Sequence, residues 1–168
     1  AETKEDAGRP VLVLSGHSLE GYDVGIEAQN NGNDVALLGE VHVYRGGALV
    51  FSRSAARDDD NGLDAYQDLL RAVDLNDDRF SASLDDIGVG KSHYLIWLNY
   101  RNPGSEDVRL YGRYRRAVSK VVVDACYCSK VLRKCWLASY RGSDAGEIKG
   151  TKTRKKCEWA TSKRFLPL

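Results

Sequence analysis

The sequence predicts a mainly all-β fold, an antiparallel β-sandwich carrying one inserted amphipathic helix. Three observations point there: short segments in which apolar residues alternate or run together, turn clusters of Asn, Gly and Pro between them, and one stretch that switches to helical spacing. The chain has 168 residues, 42% apolar and 29% charged, enough to bury one domain's core and too apolar for a disordered tail.

Residues 1–9 are polar and aperiodic and are expected to be a flexible lead-in; the sandwich domain is assigned to 10–140, and 141–168 to a basic C-terminal extension. Pro10 opens Val11-Leu12-Val13-Leu14, a continuous apolar run suited to a buried strand. From Tyr22 to Gln29 the apolar residues fall on every second position, so one face is core and the other wet. Asn30-Asn31-Gly32-Asn33-Asp34 is a dense turn signal. Val41 and Val43 then alternate with Glu40, His42 and Tyr44, and Gly46-Gly47 joins that run to Ala48-Leu49-Val50-Phe51 as a hairpin. His42 is therefore expected on a wet face.

Within 61–73, Leu63, Tyr66, Leu69, Leu70 and Val73 recur at helical spacing, with Asp60 or Asn61 available as N-cap. Residues 74–91 form an acidic crossing connection with a short strand within 79–84. His93-Tyr94-Leu95-Ile96-Trp97-Leu98-Asn99-Tyr100 is apolar on both faces and is the expected central strand. After a turn at 101–105, Val108-Arg109-Leu110-Tyr111-Gly112-Arg113-Tyr114-Arg115 alternates as a strand whose outward face is Arg109, Tyr111, Arg113 and Arg115. Segments 121–128 and 135–140 are expected to be neighbouring strands, and 141–164 an irregular loop with a short edge strand. In strand rhythm the layout resembles an immunoglobulin-like sandwich, although no Cys precedes Trp97 and the Cys…Trp…Cys spacing of true immunoglobulin domains is absent.

The formal charge of +1 conceals a strong asymmetry. Residues 1–107 hold 9 Lys and Arg against 20 Asp and Glu, a net −11, whereas 108–168 hold 16 against 4, a net +12. No apolar run approaches the roughly 20 residues needed to cross a bilayer as a helix. The polar start at Ala1 and the absence of Met fit a chain whose signal peptide has been removed, an extracytoplasmic location in the periplasm, at the cell surface or outside the cell, but equally a trimmed chain.

All four cysteines, Cys126, Cys128, Cys135 and Cys157, lie in the last third, and an even count in an exported chain points to two disulfides. Cys126 and Cys128 share one face of a strand and need separate partners. Of three connectivities the preferred one joins Cys128 to Cys135 within a hairpin and Cys126 to Cys157, tying on the tail. A Cys₄ zinc site is the competing assignment, but the spacing lacks paired C-x₂-C knuckles.

Three motifs stop short of a chemistry. Gly16-His17-Ser18-Leu19-Glu20 resembles the nucleophile elbow of α/β-hydrolases, with Glu20 in place of the closing Gly and too few residues before it to build the sheet. His17, His42 and His93 lie on separate elements without metal-ligand spacing. The run 57–68 matches a calcium loop at Asp59, Asn61 and Gly62, but places Arg57 first and Asp68 last. No catalytic residue, metal ligand or cofactor is assigned.

The basic region carries the functional expectation. Arg109, Tyr111, Arg113 and Arg115, extended by Lys152, Arg154, Lys155 and Lys156, form a candidate partner-binding face. The expected function is a non-enzymatic binding or structural module of an exported cell-envelope, surface or extracellular assembly, meeting a protein partner or a second copy through opposite charges. The alternative is an anion-binding protein for nucleic acid or an anionic membrane surface, and a third is a small serine hydrolase using Ser18.

Overall fold

The computed structural model describes residues 8–17, 24–54, 62–77, 79–98, 106–147 and 157. Among the described residues, eight strands and two helices follow one another as β1 (Leu12–His17), β2 (Gly25–Asn30), β3 (Leu37–Arg45), β4 (Ala48–Ser54), α1 (Gly62–Ala72), β5 (Phe80–Ala82), β6 (Ser92–Leu98), α2 (Glu106–Val118), β7 (Val121–Ser129) and β8 (Lys134–Arg141). The expected antiparallel architecture is present, with one helix more than the sequence suggested.

The strands form two four-stranded sheets, ordered β1-β2-β6-β5 and β4-β3-β7-β8. Each is built from two hairpin-like pairs joined by their inner strands: β2 against β6 in the first, β3 against β7 in the second, every pairing antiparallel. The immunoglobulin constant domain orders its strands ABED and CFG; what this chain shares with it is two antiparallel sheets over a common core. Edge strands β1 and β8 touch each other, and α1 packs against the opposite edges, β4 and β5. One core cluster joins both sheets and both helices, including Ile26, Val41, Val43, Ile96 and Val123 from the strands, Leu69 and Val73 from the α1 side, and Leu110, Tyr111 and Tyr114 from α2.

The turns follow the residues placed at them. Gly46 and Gly47, between β3 and β4, both have positive φ (61° and 83°), the backbone that a tight hairpin of this hand requires. Asn30, fully buried, organises the Asn/Gly cluster: its Nδ2 donates to the carbonyls of Asp34 and Ile87, and its Oδ1 accepts from the amides of Val11 and Gly32. The β7 strand is buried at all nine positions, so both of its faces are covered. Its neighbour β3 is likewise covered: His42, expected on a wet face, is only 5% exposed.

The segment expected as an arginine-faced strand is helix α2. Leu110, Tyr111, Tyr114 and Val118 recur at helical spacing, and all four are buried. Basic Arg115 and Arg116 fall in its last turn, where positive charge complements the helix dipole. The helix carries the chain from the first sheet to the second and seals its apolar stripe into the core between them.

Candidate functional site

Conversion of that segment to a helix redistributes the expected binding face. At helical spacing Arg109, Arg113 and Arg116 form one stripe, continued by Lys120 beyond the helix end. Arg109, Arg115 and Arg116 are exposed, Arg113 is half-buried, and Tyr111 is 3% exposed within the core. Tyr111 is thus a packing residue and is removed from the contact face. Lys152, Arg154, Lys155 and Lys156 lie outside the described residues.

Around this stripe the fold builds a recess of about 780 Å³. Arg113, Arg116 and Lys120 line it from α2 and the turn that follows, Arg45 from the β3–β4 turn, Asp74 from the end of α1, and Asp144 from the segment after β8. Four cations face two carboxylates, leaving a surplus of two positive charges. Sequence reasoning missed Arg45 and Lys120, because the first sits in the acidic half and only the tertiary fold brings it to the others; Arg116, which the sequence places beside Arg115 in the basic region, lines the recess, whereas Arg115 does not.

Arg113 is held in place before any partner arrives. Its Nη1 donates to Asp77 Oδ2 at 3.2 Å, its Nη2 to the Asp74 carbonyl at 3.4 Å, and its guanidinium carbon lies 5.9 Å from the centre of the Phe80 ring. Asp77 also accepts two bonds from the Arg79 guanidinium, at 2.9 and 2.6 Å, and one from its backbone amide at 3.0 Å. One carboxylate therefore serves two guanidinium groups, and the cluster keeps a net positive charge. Asp77 and Phe80 also line a neighbouring recess of about 600 Å³ with Tyr66, Arg71 and Trp97.

An adjoining recess of about 510 Å³, which shares Arg116 and Asp144 with the first, is lined by Arg115 and Ser119 with Gly16 and Tyr140. Beneath it the Tyr114 hydroxyl is buried with no hydrogen-bond partner among the described residues. Burial raises the phenol's pKa far above the ordinary tyrosine range, and nearby Tyr140 and Tyr94 add to the effect. The Tyr140 hydroxyl donates to the Val118 carbonyl at 3.2 Å, and burial raises its pKa too.

One cluster of serine, histidine and aspartate escaped the sequence reading. His93 Nε2 lies 2.7 Å from Ser83 Oγ, and Ser83 Oγ donates to Asp85 Oδ2 at 2.9 Å. Asp85 Oδ2 is also 3.5 Å from the same His93 nitrogen. A hydrolytic triad needs the carboxylate on the far ring nitrogen, so that the imidazole accepts the serine proton. Here the serine hydroxyl donates its hydrogen bond to the carboxylate instead, and the cluster ties the 83–85 segment to β6. Ser18 and the calcium-loop positions Arg57, Asp59 and Asn61 lie outside the described residues.

The cysteines pair as the spacing favoured: Cys126 with Cys157 and Cys128 with Cys135, with Cα separations of 5.4 and 4.0 Å. Cys128 and Cys135 are direct partners in the β7–β8 ladder. Cys126 and Cys128 emerge on the same face of β7, opposite the face that carries Val123, Ala125 and Tyr127 into the core.

In comparison with known proteins, no family profile, no curated protein and no solved structure matches this chain.

Proposed function

We propose that this chain is a non-enzymatic binding module of an exported assembly, cell-envelope, surface or extracellular, and that it engages an acidic protein surface through the recess beside α2. The observation that carries this reading is the convergence of Arg45, from the β3–β4 turn, with Arg113, Arg116 and Lys120, from α2 and its end, on one concavity. Guanidinium groups there can grip carboxylates in bidentate fashion, and Arg113 is already immobilised, which lowers the ordering cost of binding. Asp74 and Asp144 favour a protein partner over a nucleic acid, because a continuous phosphate track would have to pass two like charges. Two disulfides fit an oxidising compartment and hence export.

The test is charge reversal at Arg45→Glu, Arg116→Glu and Lys120→Glu, leaving Arg113 and its Asp77 bridge intact. Fluorescence anisotropy with an Asp/Glu-rich peptide, and sedimentation for self-association, are expected to show binding that weakens with salt and is lost in the triple variant. Equal affinity of the variant for the peptide refutes the reading. Tighter binding of the unmodified chain to single-stranded RNA or to anionic vesicles than to the peptide replaces it with the anion-binding alternative.

A further inference from the structure

The four cysteine sulfurs lie within 4.8 Å of one another, drawn from two adjacent strands and from Cys157. Two independent disulfides need each sulfur close only to its own partner. Cys126 and Cys128, two positions apart on one face of β7, set the two bridges side by side, and the same juxtaposition suits a single tetrahedral cation: with Zn–S bonds of about 2.3 Å, ligand sulfurs stand about 3.8 Å apart, which shifts of about an ångström reach from the observed cluster. We infer that the reduced chain closes these four sulfurs around one thiophilic divalent cation of the Zn²⁺ class, so that the β7–β8 platform has a dithiol-accessible metal state beside its disulfide state. This inference is independent of the recess at α2.

The fold supplies most of what such a site requires. Cys126 and Cys128 project from one face of β7, two positions apart, and Cys135 stands opposite Cys128 in the ladder. That fixes three ligands on a rigid platform before the fourth arrives. Cys128 is completely buried, Cys126 is 6% exposed, and Cys135 and Cys157 are half-buried; four protein thiolates fill a tetrahedral cation and leave no position open to substrate. A tetrathiolate complex of a divalent cation carries two negative charges. Lys130, Arg133 and Lys134 border Cys128 and Cys135 in sequence, and Lys155 and Lys156 precede Cys157, against Asp124 and Glu158, so the flanking sequence is net cationic. The preceding turn is already tightened by Arg133, whose φ is 51°.

The interconversion balances as follows. Each disulfide takes two electrons and two protons from one dithiol, which becomes a disulfide, giving two protein thiols; two dithiols therefore release all four. The four thiols then lose four protons as they bind the cation. In the reverse exchange the four thiolates pass four electrons to two equivalents of the oxidised (disulfide) form of that reagent, which takes up four protons to become dithiol, while the metal is expelled and both protein disulfides re-form.

The experiment uses the full chain reduced with a phosphine under nitrogen and titrated with Co²⁺, then with Zn²⁺. The expected result is uptake of one equivalent, with the intense visible bands of tetrahedral thiolate cobalt and their loss when Zn²⁺ displaces it. Cys157→Ser is expected to lose the tetrathiolate spectrum, and Cys135→His to retain a shifted one because imidazole replaces a thiolate. Hydrogen exchange of the β7–β8 amides is expected to slow when metal is added to the reduced chain. Absence of stoichiometric uptake, an unchanged spectrum in Cys157→Ser, or metal uptake with no protection of β7–β8 overturns the inference.

Discussion

Replacing Tyr114 by Phe removes one oxygen from a site where it has no hydrogen-bond partner among the described residues, and leaves a ring that is 1% exposed in place. An unsatisfied buried hydroxyl costs about 1–3 kcal/mol in lost hydration, so the variant should be more stable by about 1–2 kcal/mol once lost contacts are allowed for. In a domain of this length that raises Tm by roughly 2–8 °C. The pH dependence supplies a second readout with a fixed sign. Burial raises the folded-state pKa of both Tyr114 and Tyr140 above the ordinary value of 10.0. Below that value both folded and unfolded chains keep the phenols neutral. Above it the unfolded chain releases protons that the folded chain retains, so stability present at neutral pH is lost as pH rises past about 10, by up to about 1.4 kcal/mol per pH unit for each group. Tyr114→Phe should leave only the Tyr140 share of that slope. Urea unfolding at neutral and alkaline pH measures both effects, and a variant that is less stable at neutral pH, or that keeps the full alkaline slope, refutes the reasoning.

The two disulfides should differ in worth. Closing loops with sequence separations of 31 and 7 predicts about 3.7 kcal/mol for Cys126–Cys157 and about 2.4 kcal/mol for Cys128–Cys135 on a chain-entropy basis. Urea midpoints of the two paired Cys→Ser variants check the order, and a larger loss from the short loop contradicts it. Gly112 lies inside α2, and a Cβ there would stand 3.2 Å from Arg116 Nη1, the free end of an exposed side chain. Gly112→Ala should therefore stabilise the fold by about 0.5–1 kcal/mol through helix propensity, as read from denaturant unfolding; destabilisation would show that the Arg116 guanidinium cannot swing aside.

How far the sequence disclosed this fold depends on how sharply each segment separated the two periodicities. Leu69, Leu70 and Val73 have no strand interpretation, and α1 was legible. Gly46-Gly47 was equally direct, and the β3–β4 hairpin followed; the parity of Cys126 and Cys128 argued only against their joining each other, and of the two connectivities left the structure has the preferred one. In α2 the evidence was ambiguous: Val108, Leu110, Gly112 and Tyr114 satisfy alternation, but Leu110 and Tyr114 are also four apart. Tyr111 decides between them, because a strand would turn it outward and a helix buries it beside Leu110; the choice of strand put it on the wrong face. His42 was misplaced for another reason. Alternation identifies a polar side of β3 but cannot say whether other chain covers that side. The recess was illegible in principle, since its Arg45 and Lys120 lie on opposite sides of the charge divide and only the pairing of β3 with β7 unites them.

The construction of each sheet from two pairs joined at their inner strands determines how the chain can reach its native state. The outer pairings are local, such as Val43 with Phe51 and Ala125 with Ala138. The inner ones join Ile26 to Ile96 and Val43 to Val123. Local hairpins form in microseconds, whereas closing such long spans bears a large entropy cost before any contact compensates it. Until the second half of the chain is made, β2 and β3 present unpaired inner edges rich in apolar side chains, the kind of surface that pairs with the wrong strand. The step that completes both sheets is thus the meeting of the two halves, and a chain interrupted between them keeps its hairpin-forming sequences while losing the partners that would cover them.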